Sequence, residues 1–391
     1  MPAREAPTKQ RVTQSDIARA AGVHNTTVSL SLRNCPCIPE ATRERIRIIA
    51  TEMGYHPDPT LQALVAYRKG RLSNRRKETL AYVTDWDTRW GWRALPAYER
   101  AYIGAQRKAV ELGYQLEHFW LGEPGMNPRR MSSLLYNRGI TGVLIACGGE
   151  LCDEHSGFEW SRFSAVMIGG FHQAPALHRV TDDHGGIIRL AMRKMLGAGF
   201  ERIGLVSLQR RDVFADQAWS AGYLIAQEGL TTDASIPILR LGGSGPERLS
   251  AHAAPDCSNK FSALGTWYRH YRPEVIAGFT PAVLGKIEQL GLAIPRDVSY
   301  VDLCLECADQ RVAGVRHNRE TVGEVAARIL VGQLQQNLLG PPAVATTTTV
   351  DGTWIDGASL PPVSAPRKCE ASDDKIKVPA EFADSSLLVS A

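Results

Sequence analysis

From residue 79 onward, short apolar runs alternate with amphipathic stretches, and this alternation limits the possible folds more than any other feature of the chain. Near-continuous apolar strands separated by helices are typical of parallel sheets that are covered by helices on both faces. About 280 residues are too many for one such sheet, so the pattern predicts two α/β lobes. The expected strands span 79–85, 114–121, 140–147, 164–170, 202–208, 274–279 and 298–303. The expected helices span 95–112, 128–138, 183–199, 212–229, 281–291 and 320–338.

Charge is divided unevenly between the N-terminal part of the chain and the rest. Residues 1–77 contain 14 Lys and Arg against 6 Asp and Glu, a net charge of +8, whereas residues 78–391 contain 31 against 35, a net charge of −4. A basic segment on a mildly acidic body indicates that the segment meets a polyanion, although a basic surface is often merely solvated. The residue pattern inside the segment has to decide between these alternatives.

The distribution of apolar residues indicates a cytoplasmic chain. No apolar run approaches the ~20 residues of a membrane span, and the N-terminus has no apolar segment typical of a secretory signal. We therefore expect the eight cysteines to be reduced. Cys304 and Cys307 have the spacing of a zinc or redox motif, but no second pair accompanies them, and ordinary buried thiols are the alternative. We expect neither a metal nor a cofactor.

The basic segment carries the signals of three short helices. Thr13 with Asp16 three residues later is a helix-start signal, and Gly22 supplies the positive φ that a tight turn between two helices needs. Asn25 opens a second helix, and a third follows between residues 39 and 55. Two short helices joined by such a turn and closed by a third are typical of a helix-turn-helix, which places its second helix in the major groove of DNA.

The first turn of the second helix supplies the side chains that would contact DNA. Short polar groups there can hydrogen-bond base edges, whereas hydroxyl groups at the margins are better placed for phosphates. The alternative is a three-helix surface bundle without a DNA function. The predicted base contacts are His24, Asn25 and Thr26, and the predicted phosphate contacts are Thr13, Thr27 and Ser29.

The pattern V-T-x-x-D-I-A-x-x-A-G-V-x-x-x-T-V-S-x-x-L, followed by T-R-x-R-I and GYxP, resembles the lactose-repressor (LacI) family of bacterial regulators between Val12 and Pro57. The resemblance implies a homodimer in which two hinge helices pair on DNA and a leucine of each opens a central base step. Position matching puts this leucine at Leu64, and packing on the head is the alternative. Leu30 stands where many members have arginine, so the operator sequence of better-known relatives does not carry over.

The body is similar to the type I periplasmic-binding-protein fold that forms the sensor of the same family. Matching segments include AYIGAQRKAVELGY and HRVTDDHGGIIRLAMRKMLGAGFERIGLV. The resemblance implies discontinuous lobes, roughly 79–178 with 315–343 and 180–312 with 346–358, and a ligand in the cleft between them, near the carboxyl ends of the strands.

Three tryptophans in the loop after the first strand are candidates for effector binding. Indole rings cover the apolar face of a sugar, and a neighbouring carboxylate can bind its hydroxyl groups. Packing of one or two of these rings in the lobe core or a dimer interface is the alternative. The candidates are Trp86, Trp90 and Trp92, with Asp87 as the carboxylate.

Further effector contacts follow from the resemblance alone. Asp183 matches an aspartate that begins the first helix of the second lobe, where a simple helix-start role is the alternative. Trp219 stands where many members carry a ligand-binding arginine, and Cys304 stands where many carry a ligand-binding aspartate. Asp302, two residues before Cys304, is a candidate to compensate for the lost carboxylate.

These patterns predict an all-α helix-turn-helix head on a two-lobed α/β sensor. They indicate a transcription regulator, and the family resemblance favours a repressor. The expected partners are a pseudo-palindromic double-stranded DNA operator, a carbohydrate effector and a second copy of the chain. The expected location of the protein is the cytoplasm, in association with the nucleoid. No nucleophile, metal-protease or phosphate-loop motif indicates an enzyme. A ligand-responsive activator, a sugar-binding protein without DNA function and a sugar-modifying enzyme are the alternatives. The expected segments are an arm (1–11), the head (12–57), a hinge helix with a basic linker (58–78), the sensor (79–360) and a disordered tail (361–391).

Overall fold

The described part of the chain in this computed structural model covers residues 12–55, 78–146, 157–169, 176–228, 230, 234–241, 261–306 and 310–362. Leu64 and Cys307, which the sequence singled out, lie outside the described residues, as do the predicted arm and almost all of the predicted hinge and tail.

The head is a bundle of three helices around a small apolar core. Thr13 caps the first helix: its backbone N–H donates to the Asp16 carboxylate at 2.9 Å, and its hydroxyl accepts from the Asp16 N–H. Gly22 ends this helix in the left-handed conformation with φ of 63°, as the sequence predicted. The helices are α1 (Gln14–Ala21), α2 (Asn25–Leu32) and α3 (Glu40–Glu52). The core side chains are Ile17, Ala18, Ala21, Val28, Ile46 and Ala50.

The first lobe is built on a six-stranded sheet in which every pairing is parallel, in the order β11-β5-β4-β3-β1-β2. Helices α4 and α11 cover one face of this sheet, and helix α5 covers the other face. The strands are β1 (Glu78–Thr84), β2 (Tyr114–Trp120), β3 (Gly142–Ile145), β4 (Ser164–Ile168), β5 (His178–Asp182) and β11 (Thr347–Val350). The helices are α4 (Pro96–Glu111), α5 (Pro128–Asn137) and α11 (Arg319–Gln335).

The second lobe repeats this architecture with the strand order β12-β10-β9-β8-β6-β7. Its pairings are parallel except that of β12 with β10. Buried apolar clusters lie on both faces of this sheet. The strands are β6 (Ile203–Leu208), β7 (Leu239–Leu241), β8 (Val275–Gly278), β9 (Ser299–Leu305), β10 (Ala313–Arg316) and β12 (Thr353–Ile355). The helices are α6 (His184–Gly197), α7 (Gln209–Phe214), α8 (Ala218–Gln227), α9 (Phe261–Tyr271) and α10 (Thr280–Gln289). Two mostly parallel sheets between helices confirm the predicted fold class.

The chain passes between the lobes three times, and each passage lies further along the sequence than predicted. Strand β5 stays in the first sheet to Asp182, where it pairs with Val350 of β11, past the predicted end at 178. Strand β10 belongs to the second sheet to Arg316, past the predicted end at 312, and β11 belongs to the first sheet rather than the second. The predicted boundaries were wrong because each of these strands completes its ladder in one sheet before the chain crosses.

Short edge strands and one interrupted helix account for most other differences from the sequence expectations. The predicted helix over 212–229 is two helices, α7 and α8, because Asp216 and Gln217 between them have positive φ angles. Strand β11 has the sequence TTTV, and its side chains alternate between exposed and partly buried. It therefore lacks the continuous apolar run that identifies a central strand in the sequence. Helix α9 was not predicted.

Helices α4 and α11 approach so closely that only glycine fits at their crossing. A methyl group added at Gly323 would overlap the carbonyl oxygen of Ala101, and one added at Gly104 would overlap that of Glu320. Both contacts are with backbone, which cannot rotate away as a side chain can. The crossing therefore fixes the distance between the two helices that cover one face of the first sheet.

We predict that Gly323→Ala lowers the free energy of unfolding by about 2–3 kcal/mol, because the added methyl group forces the two helices apart. The matched control is Gly332→Ala on the same helix, where an added methyl group meets no atom within 4 Å. This control should gain up to ~1 kcal/mol from helix propensity. Urea unfolding of both variants tests the close approach, and equal stabilities of the two would contradict it.

Candidate functional site

The three predicted base-contacting side chains lie exposed at the start of α2. The His24 ring is the N-cap: its Nδ1 lies 3.3 Å from the Thr26 backbone nitrogen and 3.0 Å from the Thr26 hydroxyl. Asn25 is exposed beside them. His24 and Thr26 therefore orient each other, which fixes the surface that the first turn of α2 presents.

The predicted phosphate contacts surround this turn, and the structure adds a cation that the sequence reasoning missed. Thr13 is exposed, whereas Thr27 and Ser29 are partly buried on α2. Arg33, directly after α2, donates from Nε to the Ser29 carbonyl at 3.0 Å and from Nη2 to its hydroxyl at 3.1 Å. Its position one helical turn after Ser29 is the signal that could have identified it.

Of the three tryptophans after β1, one presents its ring to solvent. Trp90 is 47% exposed, whereas Trp86 and Trp92 lie in the core of the first lobe at 5% and 1%. Trp86 packs edge-on against Tyr98, with ring centroids 5.0 Å apart. The alternative of core packing therefore describes Trp86 and Trp92, and Trp90 and the exposed Asp87 remain as the candidates from this loop that a ligand can touch.

His118 lies against the exposed ring and was not singled out by the sequence. Its ring centroid is 4.8 Å from that of Trp90, and its Nε2 lies 2.8 Å from the Thr84 hydroxyl. Burial, together with the positive charges of Arg89 and Arg93, lowers the pKa of His118 to about 4, so the ring is neutral near pH 7.

A buried ion cluster stands where the chain crosses between the lobes. The Asp182 carboxylate at the end of β5 lies 2.7 Å from Nη2 of Arg319 and 3.3 Å from Nδ1 of His317. The other ring nitrogen of His317 donates to the Leu303 carbonyl at 2.9 Å. Because Asp182 belongs to the first crossover and the two cations to the second, the cluster joins two separate segments of chain.

The charges of the cluster support one another. Burial would raise the pKa of Asp182, but the positive charges of Arg319 and His317 outweigh burial and hold that pKa well below its usual range. Burial would lower the pKa of His317, but the neighbouring Cys304 and Asp182 outweigh burial and raise that pKa to about 10. The carboxylate and the imidazolium are therefore both charged near pH 7.

The third crossover is tied to the first two by hydrogen bonds. The Asp183 N–H donates to the Val350 carbonyl at 2.9 Å. The Asn318 side-chain amide donates to the Asp351 carbonyl at 2.7 Å and to the Thr353 hydroxyl at 3.0 Å. All three connections between the lobes are therefore bonded to one another within a few residues.

The remaining predicted effector contacts gather around this cluster. Asp183 caps α6 by accepting from the Gly186 N–H at 2.8 Å, which is the simpler of its two predicted roles. Trp219 is 2% exposed and its ring lies parallel to that of His317, with centroids 6.1 Å apart. Asp302 is buried and accepts from the Cys304 N–H at 2.8 Å. The half-buried Cys304 borders the same depression as His317.

This depression opens between the lobes and is narrow. Arg100 on α4 donates to the carbonyl of Glu306, which follows β9, at 3.0 Å, so the two lobes touch across it. The depression has a cavity volume of only about 10 Å³, which is room for about one water molecule. Admission of a larger ligand therefore requires side chains or lobes to move.

The sequence analysis did not predict the three residues of the ion cluster. Asp182, His317 and Arg319 occupy the two crossovers, and the predicted crossover positions were displaced from them by a few residues. The sequence signal that could have identified them is the pair His317 and Arg319, which lie at alternate positions directly after strand β10. Residues that follow parallel strands lie together at one edge of the sheet.

Comparisons with known proteins agree with this architecture. Residues 13–58 match the family described as "Bacterial regulatory proteins, lacI family". The HTH-type transcriptional regulator CelR of Thermobifida fusca is 23% identical over 363 residues, which cover 87% of this chain and 97% of that protein. A solved CelR–cellobiose complex covers 89% of this chain and 100% of that chain, with a TM-score of 0.52 at 18% identity. A lac repressor dimer bound to operator and the anti-inducer ONPF covers 90% and 100%, with a TM-score of 0.53 at 15% identity.

A helix-turn-helix head on a two-lobed body of parallel sheets defines a DNA-binding transcription regulator with a ligand-binding module. Residues 13–58 match the lacI family of bacterial regulatory proteins, and most of the chain is similar to named transcriptional regulators such as CelR. Within the part of the chain that the structure describes, no helix has the length and apolar character needed to cross a membrane.

We predict that Asp182→Asn lowers the free energy of unfolding by about 3 kcal/mol near pH 7, because two buried cations lose their counter-charge. The stabilisation by the wild-type carboxylate is complete above the ordinary aspartate pKa of 3.8 and is lost as the pH falls through the lowered pKa of the folded state. The difference between wild type and variant should therefore shrink in acid.

Asp183→Asn is the matched control, because asparagine caps a helix as well as aspartate does and its effect should stay below about 1 kcal/mol. Urea unfolding between pH 3 and pH 8 measures both variants. Equal losses for the two, or a loss for Asp182→Asn that does not depend on pH, would contradict the charged cluster.

Proposed function

We propose that the chain is a repressor that binds a pseudo-palindromic operator as a homodimer, and that a carbohydrate or related metabolite in the cleft between the lobes changes its operator affinity. The observation that carries this proposal is the position of the ion cluster. The depression is lined by His317 and Arg319, which sit at the lobe crossovers. A ligand that contacts them would bias the arrangement of the two lobes and, through it, the spacing of the two heads.

Buried polar atoms of the first lobe that lack hydrogen-bond partners support a ligand rich in oxygen atoms. Among the described residues, Trp92 Nε1, His118 Nδ1 and Arg319 Nε are buried without a hydrogen-bond partner. A buried polar atom left unpaired costs about 1–3 kcal/mol, which a ligand oxygen would recover. The exposed ring of Trp90 packs at a tilt against His118, with the Arg93 guanidinium 4.4 Å from its centroid, and adds an aromatic surface to the first lobe. Sugars combine an apolar ring face with many hydroxyl groups, which fits both features.

The proposal assigns roles to the head, the hinge and the sensor. The head (12–57) would read the operator, with Leu64 of the hinge (58–78) entering a central base step, and the arm (1–11) and tail (361–391) are assigned no role. The sensor (79–360) would bind the effector and the second copy of the chain. We place the protein in the cytoplasm with the nucleoid and assign it no catalytic step, in line with its regulator relatives.

Selection of bound sequences from a random double-stranded DNA pool by the full-length protein tests the DNA half of the proposal. A dimer with one head per half-site should enrich a near-palindrome. Operator affinity should fall steeply with salt, because arginine and lysine contacts to phosphate release counterions. Enrichment of a single half-site would contradict the dimer, and failure to enrich any sequence at low salt would contradict the DNA function.

The effector half is tested by measuring operator affinity in the presence of a panel of mono- and disaccharides. At least one sugar should shift operator affinity, and Trp90→Ala should weaken its binding roughly tenfold without changing operator affinity in its absence. Tyr136→Ala is the control, since Tyr136 is an equally exposed aromatic residue on the distant helix α5. Loss of sugar binding in both variants, or in neither, would contradict the assignment of Trp90.

A further inference from the structure

Two thiols lie against each other in the turn between the recognition helix α2 and helix α3. The sulfur atoms of Cys35 and Cys37 are 2.7 Å apart, with Pro36 between the two residues. Cys37 is exposed and Cys35 half-buried, so a small solute can reach the pair. A disulfide bond has a sulfur–sulfur length near 2.05 Å, which these atoms reach after moving about 0.7 Å closer.

The two thiols differ in reactivity. The hydrogen bond between them lowers the pKa of Cys35 and raises that of Cys37, and the positive charges of Arg33 and Arg43 also lower the pKa of Cys35. Cys35 is therefore the more readily ionised thiol of the pair, and Cys37 is the less readily ionised partner beside it. A low-pKa, accessible cysteine next to a second thiol is the arrangement of a redox-sensing site.

The surroundings favour a redox role over a metal-binding role. Across the described ranges of the chain, no group of three or more His, Cys, Asp or Glu residues is placed to hold a metal ion. A structural zinc site needs four ligands, and this turn supplies two.

The turn that carries the thiols also holds part of the basic surface of the head. The Cys35 N–H donates to the Leu30 carbonyl at 2.9 Å and so closes the end of α2. The side chain of Asn34, next to Cys35, accepts from Arg43 at 3.0 Å and from Arg47 at 2.9 Å. A change of backbone at Cys35 would therefore be transmitted to the end of the recognition helix and to two arginines.

We propose that Cys35 and Cys37 form a peroxide-responsive dithiol that closes reversibly to a disulfide and weakens the hold of the head on DNA. Closure draws the two residues together and shifts Asn34, which displaces the arginines bonded to it. Arginine contacts to phosphate position a protein on DNA without reading its sequence, so the loss of affinity is the same for all sequences. The effect on DNA rests on the proposed function, whereas the disulfide chemistry does not.

The chemistry balances with a hydroperoxide as the oxidant. The Cys35 thiolate attacks the terminal oxygen of hydrogen peroxide, so that a sulfur–oxygen bond forms, the oxygen–oxygen bond breaks and the departing hydroxide takes up a proton as water. The Cys37 sulfur then attacks the sulfur of the Cys35 sulfenic acid. The disulfide bond forms and hydroxide leaves, taking the Cys37 proton as a second water. Two thiols are oxidised and one peroxide is reduced, and a dithiol reductant reverses the change.

Mass spectrometry of the full-length protein tests the chemistry. Trypsin cuts after Arg33 and Arg43, so one peptide, 34–43, contains both cysteines and no other. After mild treatment with hydrogen peroxide, this peptide should lose the mass of two hydrogen atoms, resist alkylation and return to its reduced mass with dithiothreitol. A peptide that stays fully alkylatable while other cysteines oxidise would overturn the proposal.

Operator affinity of the same samples tests the coupling. The oxidised protein should bind DNA roughly tenfold more weakly than the reduced protein, equally for operator and random sequence, with a shallower salt dependence. The double variant C35S/C37S keeps six cysteines and should bind the same with and without peroxide. Closure of the peptide without a change in affinity, or a peroxide effect that persists in the double variant, would overturn the switch. Failure of the reduced protein to bind DNA would instead contradict the proposed function and leave the peptide result standing.

Discussion

The buried ion pair between Asp182 and Arg319 is the interaction that joins the first and second crossovers of the chain. Asp182 ends the last strand before the first crossover, and Arg319 begins the helix that follows the second. Neither charge is stable in a buried place without the other, because an unpaired buried charge costs several kcal/mol. The pair therefore holds two separate chain segments at a fixed distance, and His317 adds a second cation on the same carboxylate. Hydrogen bonds from Asn318 extend this link to the third crossover.

This constraint also explains why the effector would be sensed at the crossovers rather than elsewhere in the cleft. The first lobe begins at Glu78, directly after the basic linker, so under the proposed function a change in lobe arrangement would reach the head through that connection. A ligand can shift this equilibrium only by the difference in its affinity for the two arrangements. Contacts with side chains at the crossovers supply such a difference, because their positions change when the lobes move. Contacts confined to one lobe would not supply a difference in affinity between the two arrangements.

Much of the fold was predictable from the sequence because its signals are local. The capping pair of Thr13 and Asp16, the glycine turn at Gly22 and the apolar strands each depend on residues close together in the chain. The ion cluster was not predictable in this way, because Asp182 and Arg319 are brought together by the topology of two sheets. The burial of Trp92 was equally hidden, since a tryptophan in a loop after a strand fits either a ligand site or a core. Only the packing of Tyr82 and Tyr102 around it decides between them.

The central claim is that the cleft and the head are coupled, and calorimetric titration of the protein with its most effective sugar, with and without bound operator, tests it most directly. Thermodynamic linkage requires the sugar affinity to change on operator binding by the same factor by which the sugar changes operator affinity. We predict a common factor of about 5 to 150, which corresponds to a coupling free energy of about 1–3 kcal/mol. A sugar that binds the free and the operator-bound protein with the same affinity would contradict the account.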